Sequence, residues 1–215
     1  MADKYNSMKE LYSFEPVKHY KLTTRAKPSS KVLVLSPHGG SIEFFTSEIA
    51  SQVAGDDFKY FDFAGVMPRG NFENLHVTSK HYDCSLVKKL NASAHYSLAI
   101  HGCTGEENDR VTFIGGQDEM GQLLMRKHLE AAGFKVKDAP SHLSGLGNEN
   151  VVNQNQRGMG IQLEISKAQR QAFTSRPVIS ILTRKKSSKT FERYCAALRA
   201  ALSELSAEPL STLAD

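Results

Sequence analysis

The feature that most constrains this chain is a short apolar run, Leu33-Val34-Leu35, closed by Ser36-Pro37-His38-Gly39-Gly40 and followed by Ser41-Ile42-Glu43. A run of branched apolar residues that stops at Ser-Pro reads as a buried strand, and Ile42, Phe45, Ile49 and Val53 then recur at helical spacing. His38 is thus expected at a strand end and Glu43 in the first turn of a helix over 41–53. Gly39 and Gly40 leave the backbone free to bend, so that imidazole and carboxylate, both suited to zinc, can face one ion. The same order, an apolar run and then His-Gly, recurs at Ser97-Leu98-Ala99-Ile100-His101-Gly102-Cys103. Ligands of open α/β sheets bind beyond the carboxyl ends of strands, where neighbouring connections diverge. His38, Glu43 and His101 are therefore candidate ligands of one zinc ion per chain. Two histidines and one glutamate leave a position open for water, the pattern of catalytic rather than structural zinc. A third run, Gly160-Ile161-Gln162-Leu163-Glu164-Ile165, alternates around an acid that a strand does not otherwise need. Glu164 is the candidate general base, taking a proton from the metal-bound water and passing it to a leaving amine.

Strand-like runs are expected near 31–36, 58–63, 74–79, 97–101, 111–114, 134–137, 160–165 and 177–183. Helical patterns alternate with them, most clearly at 41–53, at 118–132 with Leu123, Leu124, His128 and Leu129 on one face, and at about 190–205. This is the pattern of an α/β layered fold. With 215 residues and 40% hydrophobic content, one sizeable core and a single domain over 1–215 are expected.

The formal net charge of +4 fits a preference for acidic polymers and equally an ordinary basic surface. No long basic helical stripe with interleaved aromatics argues for nucleic acid as a partner. The three cysteines, Cys84, Cys103 and Cys195, are odd in number and widely spaced, which fits neither a disulfide framework nor a zinc knuckle. The N-terminus lacks the apolar core of a signal peptide, and no run approaches the length of a membrane span. The chain is expected to be made in the cytoplasm, and an extracellular substrate would then be reached on cell lysis.

These motifs together resemble those of the poly-γ-glutamate hydrolases of phage and bacteria, compact relatives of the zinc carboxypeptidases. The resemblance runs from Ser36-Pro37-His38-Gly39-Gly40-Ser41-Ile42-Glu43 through Leu75-His76-Val77-Thr78-Ser79, Ile100-His101-Gly102-Cys103 and Ile114-Gly115-Gly116 to the stretch from Asn153 to Glu164, covering about residues 31–183. It implies a mixed sheet with helices on both faces, a zinc ion on His38, Glu43 and His101, and Glu164 as the base. Ordinary zinc carboxypeptidases separate their first two ligands by two residues. Here four residues lie between His38 and Glu43, in keeping with the hydrolase family.

The expected reaction is cleavage of γ-glutamyl amide bonds, with a zinc carboxypeptidase or amidase acting on another acyl-amino acid or cell-wall peptide as the alternative. A non-catalytic binding module is a third reading. Asn153 and Arg157 are candidates for holding substrate carboxylates, with Arg110 as an alternative clamp, since a guanidinium grips a carboxylate through two parallel hydrogen bonds. His76 joins them because the resemblance reaches its motif. Ile114-Gly115-Gly116-Gln117-Asp118 could bring backbone amides to a substrate or be only a tight turn. Cys103 reads as a small residue lining the site rather than a nucleophile.

Overall fold

Every residue of Val32–Gly40, Lys59–Gly65 and Ile161–Ser166 is buried, which strands achieve only in the interior of a sheet covered on both faces. A computed structural model describes residues 3–174 and 188–207. In chain order the elements are α1 (Met8–Phe14), β1 (Tyr20–Arg25), β2 (Val32–Gly40), α2 (Thr46–Ala54), β3 (Lys59–Gly65), α3 (Asn71–Leu75), α4 (Ser85–Asn91), β4 (Tyr96–Cys103), β5 (Val111–Gly116), α5 (Glu119–Ala131), β6 (Lys135–Asp138), β7 (Ile161–Ser166), α6 (Lys167–Gln171) and α7 (Lys189–Ala207). The strands form one mixed sheet in the order β1-β3-β2-β4-β7-β5-β6. The central four, β3, β2, β4 and β7, are parallel, whereas β1 at one edge and the β5–β6 pair at the other run the opposite way.

The period of two along each strand divides the core. Val32, Val34, Leu98, Ile100, Ile161, Leu163 and Ile165 pack on one face against α2, α5 and α7. Leu33, Leu35, Phe61, Phe63 and Ala99 pack on the other, against Met8, Leu11, Leu75, Val77 and Val87. Continuing the alternation puts His101, Gln162 and Glu164 on this second face. From β2 the chain turns to β3 on one side, and β4 adds on the other, so the boundary between β2 and β4 is the point at which connections diverge. That is where an open sheet leaves a crevice.

The expected strand at 74–79 does not form. Leu75 and Val77 alternate inward as in a strand, and both are fully buried. The backbone instead makes α3 and a short 3-10 turn at Ser79–His81, because its polar groups are committed elsewhere: the Val77 carbonyl to His38 and the Thr78 amide to Asp3. The helix expected over 41–53 begins only at Thr46, after a turn that includes Phe45 at φ 76°. On α5 the buried face is Gly121, Met125 and Leu129, and Leu123 is exposed. The strand expected at 177–183 lies outside the described residues. No helix among the described residues is long and apolar enough to cross a membrane.

The N-terminal segment is pinned beside α1 by Glu15, whose buried carboxylate accepts from Lys4 Nζ (2.6 Å) and Tyr5 Oη (2.7 Å) and faces His19 Nδ1 at 2.8 Å. Burial alone would raise the Glu15 pKa, but the bonds from Lys4, His19 and Tyr5 outweigh it and hold the group down at about 2. A folded-state pKa below the unfolded value stabilises the fold above the unfolded pKa, and that contribution is lost as pH falls through the folded one. The Glu15→Gln variant is therefore expected to be less stable at pH 7, on the order of 2 kcal/mol, with the deficit shrinking between about pH 5 and pH 2. Thermal melts of both proteins across that range check this, and a deficit independent of pH would contradict it.

Candidate functional site

His38 lies at the end of β2, past a break in its register with β3 between Ser36 and Gly39. The turn that follows is closed by the Glu43 amide donating to the His38 carbonyl at 3.0 Å. Glycines are required here for two separate reasons. A Cβ on Gly39 would overlap the Asp62 and Ser47 side chains, and Gly40 sits at φ 66° against the backbone of Gly65. The turn folds the Glu43 side chain back over His38, leaving Oε1 3.1 Å from His38 Nδ1. Glu43 Oε2 accepts from the Gly102 amide at 2.8 Å and lies 3.7 Å from His101 Nδ1. His101, from the neighbouring parallel strand, brings that nitrogen within 3.1 Å of His38 Nδ1. Both imidazoles and Glu43 are buried.

The far nitrogens fix which atoms are free to ligate. His38 Nε2 faces the Val77 carbonyl at 2.9 Å, and a carbonyl can only accept, so Nε2 carries the proton and Nδ1 presents a lone pair. His101 Nε2 lies 3.3 Å from the Ser79 hydroxyl, which can accept in the same way. Burial opposes ionisation of Glu43, but positive charge on the two histidines and hydrogen bonds donated from them outweigh it and hold the carboxyl well below the usual range, a place that a cation between neutral rings would take. His38 Nδ1 and the Glu43 carboxylate thus face one point together with His101 Nδ1, which presents a lone pair when its Nε2 donates to Ser79. Zinc–nitrogen bonds of about 2.0–2.1 Å in tetrahedral array would separate ligand atoms by roughly 3.3 Å, and the distances here span 3.1–3.7 Å. The donor set fits zinc, and the outer hydrogen bonds are those that orient ligating histidines.

A second three-residue cluster shares His38 and Glu43 and is completed by His76. The His76 ring lies over His38, with centroids 4.0 Å apart, and its Nε2 is 4.0 Å from Glu43 Oε1. Asp3 braces it from behind, accepting from His76 Nδ1 at 2.6 Å and from the Thr78 amide at 2.7 Å. Burial, with His38 nearby, pushes the His76 pKa down to about 4, so the ring is neutral at pH 7.

Glu164 is paired in register with His101 across β4 and β7 and opens into the same cleft, a cavity of about 430 Å³. Gln162 Nε2 donates to its Oε1 at 3.1 Å, and Gln162 is itself held by Asn150. Burial raises the Glu164 pKa to about 7, with His101 opposing. Glu43 and Glu164 therefore stand in opposite electrostatic settings within one cleft. Cys103 lines the cleft half-buried, and burial pushes its thiol up to about 11, unsuited to nucleophilic attack near neutrality.

The residues expected to clamp substrate are placed differently. Arg157 sits at the opposite end of β4, its guanidinium over the Tyr96 ring and bonded to the buried Asp118 at 2.7 Å. Asn153 is buried in loop packing, donating to the Gly145 and Gly147 carbonyls and accepting from the Gly160 amide. Arg110 precedes β5 on the surface and is not among the residues lining the cleft. The Gly116, Gln117 and Asp118 amides are spent on the Ser144 and Gly160 carbonyls, so Ile114–Asp118 is a packing turn. Sequence reasoning missed Gln162, Ser79 and Arg170. Gln162 was accessible through its spacing of two from Glu164, whereas no local pattern marks the other two.

A family model described as poly-γ-glutamate hydrolase matches residues 5–197. The protein YmaC of Bacillus subtilis strain 168 is 37% identical over 173 residues, 80% of this chain and 72% of YmaC. A solved bacteriophage poly-γ-glutamate hydrolase superposes with a TM-score of 0.89 at 29% identity, covering 95% of this chain and 98% of the other. A zinc-free form of YndL superposes with a TM-score of 0.87 at 28% identity, covering 95% and 99%.

The Arg157–Asp118 pair, remote from the cleft, carries a stability prediction. Arg157→Ala strands a buried carboxylate and is expected to cost about 3 kcal/mol in urea denaturation, with Asp118→Asn in the same chain recovering part of the loss. Unchanged stability in the single variant would contradict this placement.

Proposed function

Because the chain belongs to the poly-γ-glutamate hydrolase family, we propose that it cleaves the γ-glutamyl amide bonds of poly-γ-glutamate with one zinc ion held by His38, Glu43 and His101. The observation that carries this reading is the meeting of His38 Nδ1, the Glu43 carboxylate and His101 Nδ1 within 3.1–3.7 Å, each with its outer hydrogen bonds already made. His101 rather than His76 completes the set in this reading, since its Nδ1 lies 3.1 Å from His38 Nδ1 and 3.7 Å from Glu43, against 4.0 Å from His76 Nε2 to Glu43. When bound, zinc supplies a Lewis acid that polarises carbonyl oxygens and makes hydroxide available near neutral pH.

The chain's own residues supply the rest. Glu164 takes a proton from the attacking water as the water oxygen bonds to the γ-carbonyl carbon. It then delivers that proton to the amide nitrogen as the C–N bond breaks, and the new γ-carboxyl group gives its remaining proton to the released α-amine, leaving a carboxylate and an ammonium group. Gln162 holds the carboxylate in line by donating to Oε1, and a pKa near 7 suits a group that must both accept and release a proton. Asp3 and Val77 are positioning groups: one fixes the His76 tautomer, the other that of His38. His76, neutral and facing Glu43, forms the wall of the cleft beside the ligands.

Metal dependence, variants and substrate choice each test this reading. Chelation is expected to abolish shortening of poly-γ-glutamate, with zinc restoring it at about one ion per chain. Metal content should survive His76→Ala and be lost in His101→Ala, and the reverse outcome would assign the ion to the His76 cluster. Glu164→Gln is expected to retain zinc while kcat falls about 100-fold or more. Normal turnover in that variant would remove Glu164 from the mechanism. Hydrolysis of cell-wall peptides with polymer left intact would overturn the substrate.

A further inference from the structure

Arg170, on α6, is a buried cation with no direct ion pair among the described residues; Glu43 and Glu164 act on it only from a distance. Only 7% of it is exposed, yet its three bonds all go to neutral carbonyls: Nε to Ile165 (3.0 Å), Nη1 to Phe44 (3.0 Å) and Nη2 to Cys103 (2.9 Å). Among the described residues no carboxylate comes within ion-pairing distance. A guanidinium has five N–H groups, so two remain beyond those three bonds. A ligand carboxylate that accepts from those two N–H groups gives the guanidinium the direct anionic partner that Glu43 and Glu164 do not supply.

The surroundings indicate where the anion comes from. Arg170 lines a cavity of about 490 Å³ together with Lys167, Gln171 and Thr104. That cavity shares Glu43, Phe72, Gly102 and Cys103 with the cleft holding His101 and Glu164, so the two are continuous across the ligand cluster. Gly102 is what lets the guanidinium in: a Cβ there would lie 2.6 Å from Arg170 Cζ. The glycine of the His-Gly-Cys motif thus makes room for a cation beside the reacting centre. Exposed Lys167 adds a second positive charge at the mouth.

We propose that Arg170 and Lys167 form a subsite for the α-carboxylate of a glutamyl residue next to the scissile amide, which makes them determinants of specificity for γ-linked glutamate. This rests on the function proposed above. In poly-γ-glutamate every repeat carries a free α-carboxylate, whereas ordinary peptides spend theirs in the backbone. A fixed guanidinium that receives it with paired hydrogen bonds therefore separates the two polymers.

The test uses binding, so that it does not depend on turnover. Metal-stripped full-length protein is titrated calorimetrically with γ-glutamylglutamate and with the analogue in which both α-carboxylates are carboxamides. The wild type is expected to prefer the acid by about 10- to 100-fold, the scale of hydrogen bonds to a charged group. Arg170→Gln should abolish that preference and Lys167→Ala should reduce it several-fold. Melting curves check that Arg170→Gln is folded, and Lys167→Ala, at an exposed position, keeps the test decisive if it is not. A merely structural Arg170 would leave the ratio of the two affinities unchanged. Equal binding of acid and amide by the wild type, or an undiminished preference in both variants, overturns the subsite. If the zinc-loaded protein shortens poly-γ-glutamate while those results hold, the subsite alone fails; if it leaves the polymer intact, the parent function fails and the subsite assignment with it.

Discussion

Two imidazole nitrogens held 3.1 Å apart across neighbouring parallel strands are the constraint on which the cleft is built. Unprotonated nitrogens at that distance repel unless a proton or a cation lies between them. The fold nonetheless fixes both: β2 and β4 pair in register, and each ring is tethered through its far nitrogen. Glu43 then has to reach the same point from a turn, and this turn has room for glycine alone at two successive positions. The strand order, the break in the ladder after Ser36 and the amide bond that closes the turn all serve the same small volume.

Around that point two carboxylates are driven apart in character. Glu43 is buried against histidines and a backbone amide and stays ionised, while Glu164, buried beside an amide side chain, has its pKa raised to about 7. Environment rather than residue type sets the two carboxylates apart, as in other pairs of acids placed in unlike surroundings. The division needs the second face of the sheet, where the period of two lines up His101, Gln162 and Glu164, and needs Asn150 to hold Gln162 in place.

The interior of the sheet was legible because β2, β4 and β7 are apolar runs bounded by glycine, serine or proline, and their last residues stand out against that background. Edge and connecting elements were not. β1 carries Lys21, Thr23, Thr24 and Arg25, with Lys21 and Thr24 exposed and the rest half-buried, and its alternation is too weak to mark a strand. Leu75 and Val77 produced the opposite error, since inward alternation in an irregular segment looks the same as a strand when its hydrogen-bond partners are unknown. The arginines make the point most directly. Arg157 and Arg170 are equally plausible clamps by type, but which end of a strand each reaches depends on how loops pack, and only Arg170 lies beside the ligand cluster. The resemblance read over about 31–183 extends over 5–197, which takes in α1, β1 and the first half of α7.

The central claim is that one cation sits at the junction of β2 and β4, and anomalous diffraction at the zinc edge from crystals of the zinc-loaded protein tests it most directly. The expected result is a single strong peak about 2 Å from His38 Nδ1, His101 Nδ1 and the Glu43 carboxylate. A peak at His76 and Asp3, or at His128 and Glu204 on the far helices, with the strand-end nitrogens unligated, would contradict it.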